Sequence, residues 1–215
     1  MRLYELLLTG QAPLFFLIVL AIVISLTFHE FGHTAMAKLF GDDTAQRMGR
    51  LTLNPLAHID IIGLLMVIFI GIGFAKPEPT NPNNFTSRWA DLLVSAAGPG
   101  MNLVLAVAAV NFFVFASQAG WSVVDGQGPQ LFFVYLAQIN LLLMLFNLIP
   151  LGPLDGHYML PYLLTRKWAY YYRIYNAQYG YVALLALFAL SVVGLPVFGF
   201  ISSVSASLLP WIVFV

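Results

Sequence analysis

Residues 13–39 read PLFFLIVLAIVISLTFHEFGHTAMAKL, and the cluster His29, Glu30, His33 inside that apolar run decides how the rest of the chain is read. A helix crosses a hydrocarbon core with about twenty mostly apolar residues, so the run is long enough to span. Each ionisable group at bilayer depth costs about 2.5 to 3.5 kcal/mol even on the lenient insertion scale. Three of them within five positions are expected to carry a function.

Composition agrees with a membrane setting. Of 215 residues, 60% are hydrophobic and 8% charged, with a mean hydropathy of +0.87, whereas charged residues make up about a quarter of a soluble domain. Nine basic and nine acidic residues cancel. Composition therefore favours neither a nucleic-acid partner nor a polybasic surface for anionic lipid. Without cysteine there is no thiolate, so any metal must be held by His, Asp or Glu. The first run is too long for a signal-peptide core and leads straight into the polar cluster, so it is read as a retained span.

Six segments qualify as crossings: roughly 13–39, 59–75, 89–117, 131–149, 177–195 and 197–215. The predicted fold is an all-α polytopic membrane protein of about six transmembrane helices in one domain, residues 1–215. RLTL at 50–53 and GIGFA at 71–75 read as extended chain and predict a small sheet at the membrane rim, an edge on which an unwound substrate strand could pair. With six crossings, Arg2, Lys76, Arg88, Arg166, Lys167 and Arg173 share one side, and the positive-inside rule puts the N-terminus in the cytoplasm. That orientation inverts if one segment fails to cross. TRKWAYYYRIYNAQ, 165–178, reads as a loop leading into an interfacial aromatic belt.

His29 and His33 are four apart, so on a helix their imidazoles share a face and can hold one cation. H-E-x-x-H on a helix is the arrangement in which two histidines bind zinc and the glutamate takes a proton from water. Zinc lowers the pKa of its water to about 7, where Glu30 can act as the base. A catalytic zinc uses three protein ligands, and Asp155 in NLIPLGPLDGHYMLPYLL is the natural third. Pro150 and Pro153 must interrupt the helix before it, and broken backbone at membrane depth has to line a cavity or be packed in protein. The other reading of Asp155, taken without His29 and His33, is a helix N-cap or turn residue. Zn²⁺ with neutral imidazoles and the carboxylates of Asp155 and Glu30 sums to zero charge, which suits a low dielectric.

HEFGH, GRLTLNPLAHIDIIG, GFAKPEPTNPNNF, AAGPGMN and NLIPLGPLDG together resemble the site-2 protease family of intramembrane zinc metalloproteases. The likeness runs to about residue 165 and is nearest to small bacterial and archaeal members without PDZ or CBS domains. It implies zinc ligands His29, His33 and Asp155, one Zn²⁺ per chain, and Glu30 as general base. It also implies that Asn147 holds the substrate or the oxyanion. His157, directly after LDG, departs from the commonest pattern and reads as a turn residue or a support to a ligand. His58 reads as having no metal role, and Asn102 as a helix-packing residue.

The implied activity is hydrolysis of peptide bonds in or near transmembrane segments of protein substrates, within the lipid bilayer of a prokaryotic cell membrane. The other class open to these residues is a non-proteolytic membrane scaffold for metal, or a cation transporter. Transporters commonly carry paired broken helices in two related halves. The sequence shows no such repeat.

Overall fold

The computed structural model describes residues 3–70, 73–195 and 197–215. Every regular element among them is helical. In chain order these are α1 (Leu3–Leu8), α2 (Ala12–Leu39), α3 (Thr44–Arg47), α4 (Pro55–His58), α5 (Ile61–Ile70), α6 (Ala90–Gln118), α7 (Gln127–Asn147), α8 (Asp155–Met159), α9 (Arg166–Val192) and α10 (Val197–Leu208).

Four of these, α2, α6, α7 and α9, are long and apolar enough to cross a membrane. Six were expected, and the difference lies in α5 and α10. With 10 and 12 residues, they reach only about 15 and 18 Å at 1.5 Å per residue, short of a 30 Å core. After α5 the chain turns back on itself: a Cβ on Gly63 would run into the backbone of Phe74, and one on Gly73 into the backbone of Gly63. The backbone N–H of Lys76 then donates to His58 O at 2.9 Å, beside the start of α5. α10 ends in a 3-10 turn, Leu209–Ile212, that contains Pro210.

Nor is there a strand among the described residues. Residues 51–53 are bends and 73–81 irregular, while 71 and 72 lie outside the described residues. The expected sheet edge for substrate pairing therefore has no counterpart in the described chain. The aromatic stretch from residue 166 is helical and forms the first turns of α9.

α2, α6 and α7 pack side by side around Ala21, Ala106, Ala109, Val110, Leu136, Ala137 and Leu141. Small side chains dominate, which lets helix backbones approach closely where lipid offers no hydrophobic drive for association. At the α2–α6 crossing, a Cβ on Gly32 would sit 2.7 Å from Ala97 O. The chain between α2 and α6 is strapped across one end of this bundle. Asp42, 1% exposed, accepts from Asn81 N at 2.6 Å and from Asn84 Nδ2 at 2.8 Å. Thr86 donates to Phe40 O through both its N–H, at 2.9 Å, and its hydroxyl, at 3.0 Å.

Candidate metal centre

His29, Glu30 and His33 lie in the second half of α2, 6 to 10 residues from its end at Leu39. That places them about 9 to 15 Å below the end of the helix. All three are buried, at 6%, 9% and 8% exposure. Two bonds orient the imidazoles. His29 Nδ1 is 2.7 Å from Asn102 Oδ1 on α6, and His33 Nδ1 is 2.7 Å from the carbonyl of Val94. Oxygen atoms of these kinds only accept, and Asn102 turns its Nδ2 to Ser25 O at 3.2 Å and Asn140 Oδ1 at 2.7 Å. Both Nδ1 atoms are therefore donors, and in the neutral imidazoles both Nε2 atoms present lone pairs.

Asp155 completes the group. Pro150 and Pro153 end α7 and force the turn expected from the sequence, and α8 begins at Asp155 itself with Leu154 at the cap position. The carboxylate does not cap α8. Its Oδ2 is 3.3 Å from His29 Nε2 and its Oδ1 3.4 Å from His33 Nε2, while the two Nε2 atoms are 3.1 Å apart. Asp155 Oδ2 is also buried with no hydrogen-bond partner among the described residues. With neutral imidazoles, two lone pairs and a carboxylate converge here, an arrangement that is repulsive unless a proton or a metal cation joins it. Around a tetrahedral zinc with bonds of about 2.0 to 2.1 Å, ligand atoms lie about 3.3 Å apart. With one ligand atom from each residue, all within 4.8 Å of one another, His29, His33 and Asp155 could hold such an ion.

Glu30 is within electrostatic reach of His29, His33 and Asp155. Its carboxylate has no hydrogen-bond partner among the described residues, which leaves its oxygens available to a reacting molecule.

Gly98 on α6 makes the cluster possible. A Cβ there would collide with His33 Nε2 and approach His29 Cε1 to 2.7 Å. The α6 backbone is itself one wall of the site. Asn140 on α7 extends the polar chain by donating to Ser25 Oγ at 2.8 Å and Leu136 O at 2.7 Å. Asn102, read from sequence as helix packing, is thus the hydrogen-bond partner of a candidate ligand. Asn140, Ser25 and Gly98 were not singled out at all. The available signal was cost: Asn102 and Asn140, both 0% exposed, are amides that an apolar helix holds only if they are satisfied.

The remaining candidates lie outside the cluster. Asn147 donates from Nδ2 to Leu143 O at 3.1 Å within its own helix. His157 accepts at Nδ1 from Asn176 Nδ2 at 2.7 Å, with Tyr172 Oη at 3.1 Å. His58 is 0% exposed and is held by Glu78 and Thr52. Its Nδ1 is 2.7 Å from Glu78 Oε1 and its Nε2 2.7 Å from Thr52 O. Burial lowers its pKa, but the Glu78 carboxylate and the Thr52 carbonyl outweigh burial and hold it above the usual histidine value. Arg50 Nη2 also bonds Glu78 Oε1 at 2.9 Å, and the other Glu78 oxygen is buried with no partner among the described residues. Glu78 belongs to the strap and lies within electrostatic reach of Glu30.

Comparison with known proteins places these features in a family. The chain matches Peptidase family M50 over residues 17–193. It is 39% identical over 175 residues to "Putative zinc metalloprotease YwhC" of Bacillus subtilis (strain 168), covering 80% of this chain and 79% of that protein. It is 32% identical over 152 residues to "Putative zinc metalloprotease Rip2" of Mycolicibacterium smegmatis, covering 66% of this chain and 55% of the relative. No solved structure matches the chain.

Proposed function

Because the chain belongs to Peptidase family M50 and is an intramembrane zinc protease, we propose that His29, His33 and Asp155 hold its zinc and that Glu30 is its general base. The carrying observation is the convergence of His29 Nε2, His33 Nε2 and Asp155 at 3.1 to 3.4 Å with both Nδ1 atoms donating elsewhere. When bound, zinc supplies Lewis-acid polarisation of the scissile carbonyl and of the attacking water. Glu30 takes a proton from that water as it attacks and delivers it to the leaving amide nitrogen. The peptide bond breaks to a carboxylate and an amine. Asn147, at the end of α7, is proposed to offer its amide to the substrate backbone or to the developing oxyanion. The finer reading is a metalloendopeptidase of the H-E-x-x-H type, one zinc per chain, acting on transmembrane proteins, with residues 1–215 forming a single catalytic unit.

The four-helix layout changes the proposed orientation. If α5 does not cross, Lys38, Arg47, Arg50, Lys76, Arg88, Arg166, Lys167 and Arg173 all belong to one end of the bundle, eight of the nine Lys and Arg residues. The Thr86–Phe40 bonds and the bond from Tyr162 Oη to Arg88 O, 3.0 Å, hold the segments of that end together. By the positive-inside rule this end is cytoplasmic and the N-terminus lies on the far side.

The test pairs zinc content with cleavage of a reporter transmembrane peptide, wild type beside Glu30→Gln. We expect stoichiometric zinc in both and cleavage in the wild type alone. Cleavage surviving in Glu30→Gln would remove Glu30 as base, and zinc surviving in Asp155→Ala at unchanged affinity would remove Asp155 as a ligand.

A further inference from the structure

Three of the nine Lys and Arg residues, one before α6 and two on α9, line one cleft of about 510 Å³. They are Arg88, Arg166 and Arg173, and the walls between them include Trp89, Tyr162 and Tyr170. The cleft lies where α6 and α9 begin. Among the described residues none of the three guanidiniums is ion-paired with a carboxylate; the arginines that are, Arg47 and Arg50, lie elsewhere. Asp91 is the acid that bears on the cleft. It shares an adjoining groove with Arg88 and feels the charge of Arg173, so the positive charges still outnumber it three to one.

The walls are built rather than incidental. The Arg88 guanidinium stacks over the Trp89 ring at 4.9 Å, Trp89 and Tyr162 lie with ring centres 5.6 Å apart, and Tyr162 Oη donates to Arg88 O at 3.0 Å. Two long helices also start here, and neither Trp89 nor Thr165 supplies a side-chain cap. Their first-turn N–H groups and dipoles add to the positive potential. From its start at the cleft, α9 exposes Trp168, Tyr170, Tyr171, Tyr175 and Tyr179. Aromatic side chains in this pattern sit at the headgroup level of a bilayer.

We propose that this cleft binds the phosphate of an anionic phospholipid headgroup, with the three arginines on the phosphate oxygens and Trp89, Tyr162 and Tyr170 against the glycerol and upper acyl carbons. Guanidinium forks match phosphate geometry in a way that a point charge does not. A soluble phosphate shares that chemistry but would leave the aromatic walls unused. Occupancy would tie the starts of α6 and α9 to the Pro161–Tyr162 turn that follows α8, the helix carrying Asp155. The proposal rests on the chain lying in a bilayer and is independent of its being a protease.

The test is native mass spectrometry of the purified full chain in detergent, titrated separately with phosphatidylglycerol and phosphatidylcholine. The variants are Arg88→Gln/Arg166→Gln/Arg173→Gln, each single substitution, and an Arg47→Gln/Lys167→Gln control. We expect the wild type and the control to hold phosphatidylglycerol about tenfold more tightly than phosphatidylcholine, and the triple variant to lose that preference. Each single variant should weaken it about threefold, which keeps the proposal testable if the triple variant does not fold. Equal retention of the two lipids by the wild type, or an unchanged preference in the arginine variants, would overturn the proposal. Displacement of the lipid by inorganic phosphate at matching concentration would assign the cleft to a soluble anion and overturn the lipid assignment.

Discussion

Asn102 Oδ1, on α6, accepts the proton of His29 Nδ1, on α2, at 2.7 Å across 73 positions of sequence. That bond selects the tautomer in which Nε2 faces Asp155, and Ser25 and Asn140 hold the amide in the orientation that makes it possible. Replacing Asn102 with Leu leaves a buried N–H unpaired, at a cost of about 1 to 3 kcal/mol. Loss of such a supporting partner lowers metal affinity about 10- to 100-fold. Chelator competition for zinc, Asn102→Leu against wild type, checks this, and equal affinities would contradict the assigned tautomer.

Two glycines on one helix make a matched pair. Gly98→Ala puts a methyl group where the imidazoles of His29 and His33 now sit, whereas a Cβ on Gly100 meets nothing within 4 Å. Gly98→Ala should strip zinc retention and cleavage together. Gly100→Ala should keep both and raise stability by up to about 1 kcal/mol, as Gly-to-Ala changes do within a helix. Thermal melts alongside zinc content separate the two outcomes.

Asn176 on α9 grips the turn that carries Asp155. Its Oδ1 accepts from Gly152 N at 3.0 Å, and its Nδ2 donates to Gly152 O at 3.2 Å and His157 Nδ1 at 2.7 Å. Gly152 has φ +58, in the left-handed region, and a Cβ there would lie 3.1 Å from Gly180 O. Asn176→Leu removes these bonds while keeping side-chain volume. We expect a folded protein with zinc affinity reduced about 10-fold, since Asp155 loses its fixed approach. Chelator competition at constant helix content by circular dichroism measures it.

The strap carries a pH-sensitive pair. His58 has a raised pKa in the folded chain, so its bond to Glu78 contributes fully below the unfolded histidine value of about 6.5 and fades as pH rises through the higher folded value. Amide exchange in residues 76–86 should therefore speed up above neutral pH beyond its intrinsic base-catalysed rise. In His58→Gln that extra dependence should vanish. A wild-type profile that follows the intrinsic rate alone would show the pair contributes nothing to holding the strap.

Removing the metal should cost the folded chain the stabilisation that binding supplies. A ligand at about a thousand times its Kd stabilises the folded state by about 4 kcal/mol. Chelation is expected to lower Tm, zinc to restore it, and Asp155→Ala to show little of either effect. A Tm indifferent to chelator would count against His29, His33 and Asp155 as a shared site.

Local pattern was enough for the first metal motif. The spacing of His29 and His33 in an apolar run fixes their common helix face, because helical period is a short-range property. The proline-broken segment before Asp155 was legible for the same reason, since Pro150 and Pro153 act on the residues beside them. Crossing number was less legible. Residues 59–75 are as apolar as a span, and only the return of Phe74 against Gly63 divides them into a short helix and a reversal.

By itself, then, the sequence determined a membrane-grade helix bearing two histidines and a glutamate, a broken segment bearing Asp155, and through them the family. Tertiary structure decided which groups meet. It gave His29 its partner Asn102 and made the backbone at Gly98 a wall of the site. It also left four helices long and apolar enough to cross among the described residues and drew Arg88 to Arg166 and Arg173. The physical reason is separation along the chain: spacing constrains neighbours within a turn or two, whereas contacts between α2, α6 and the start of α9 exist only once the helices have packed.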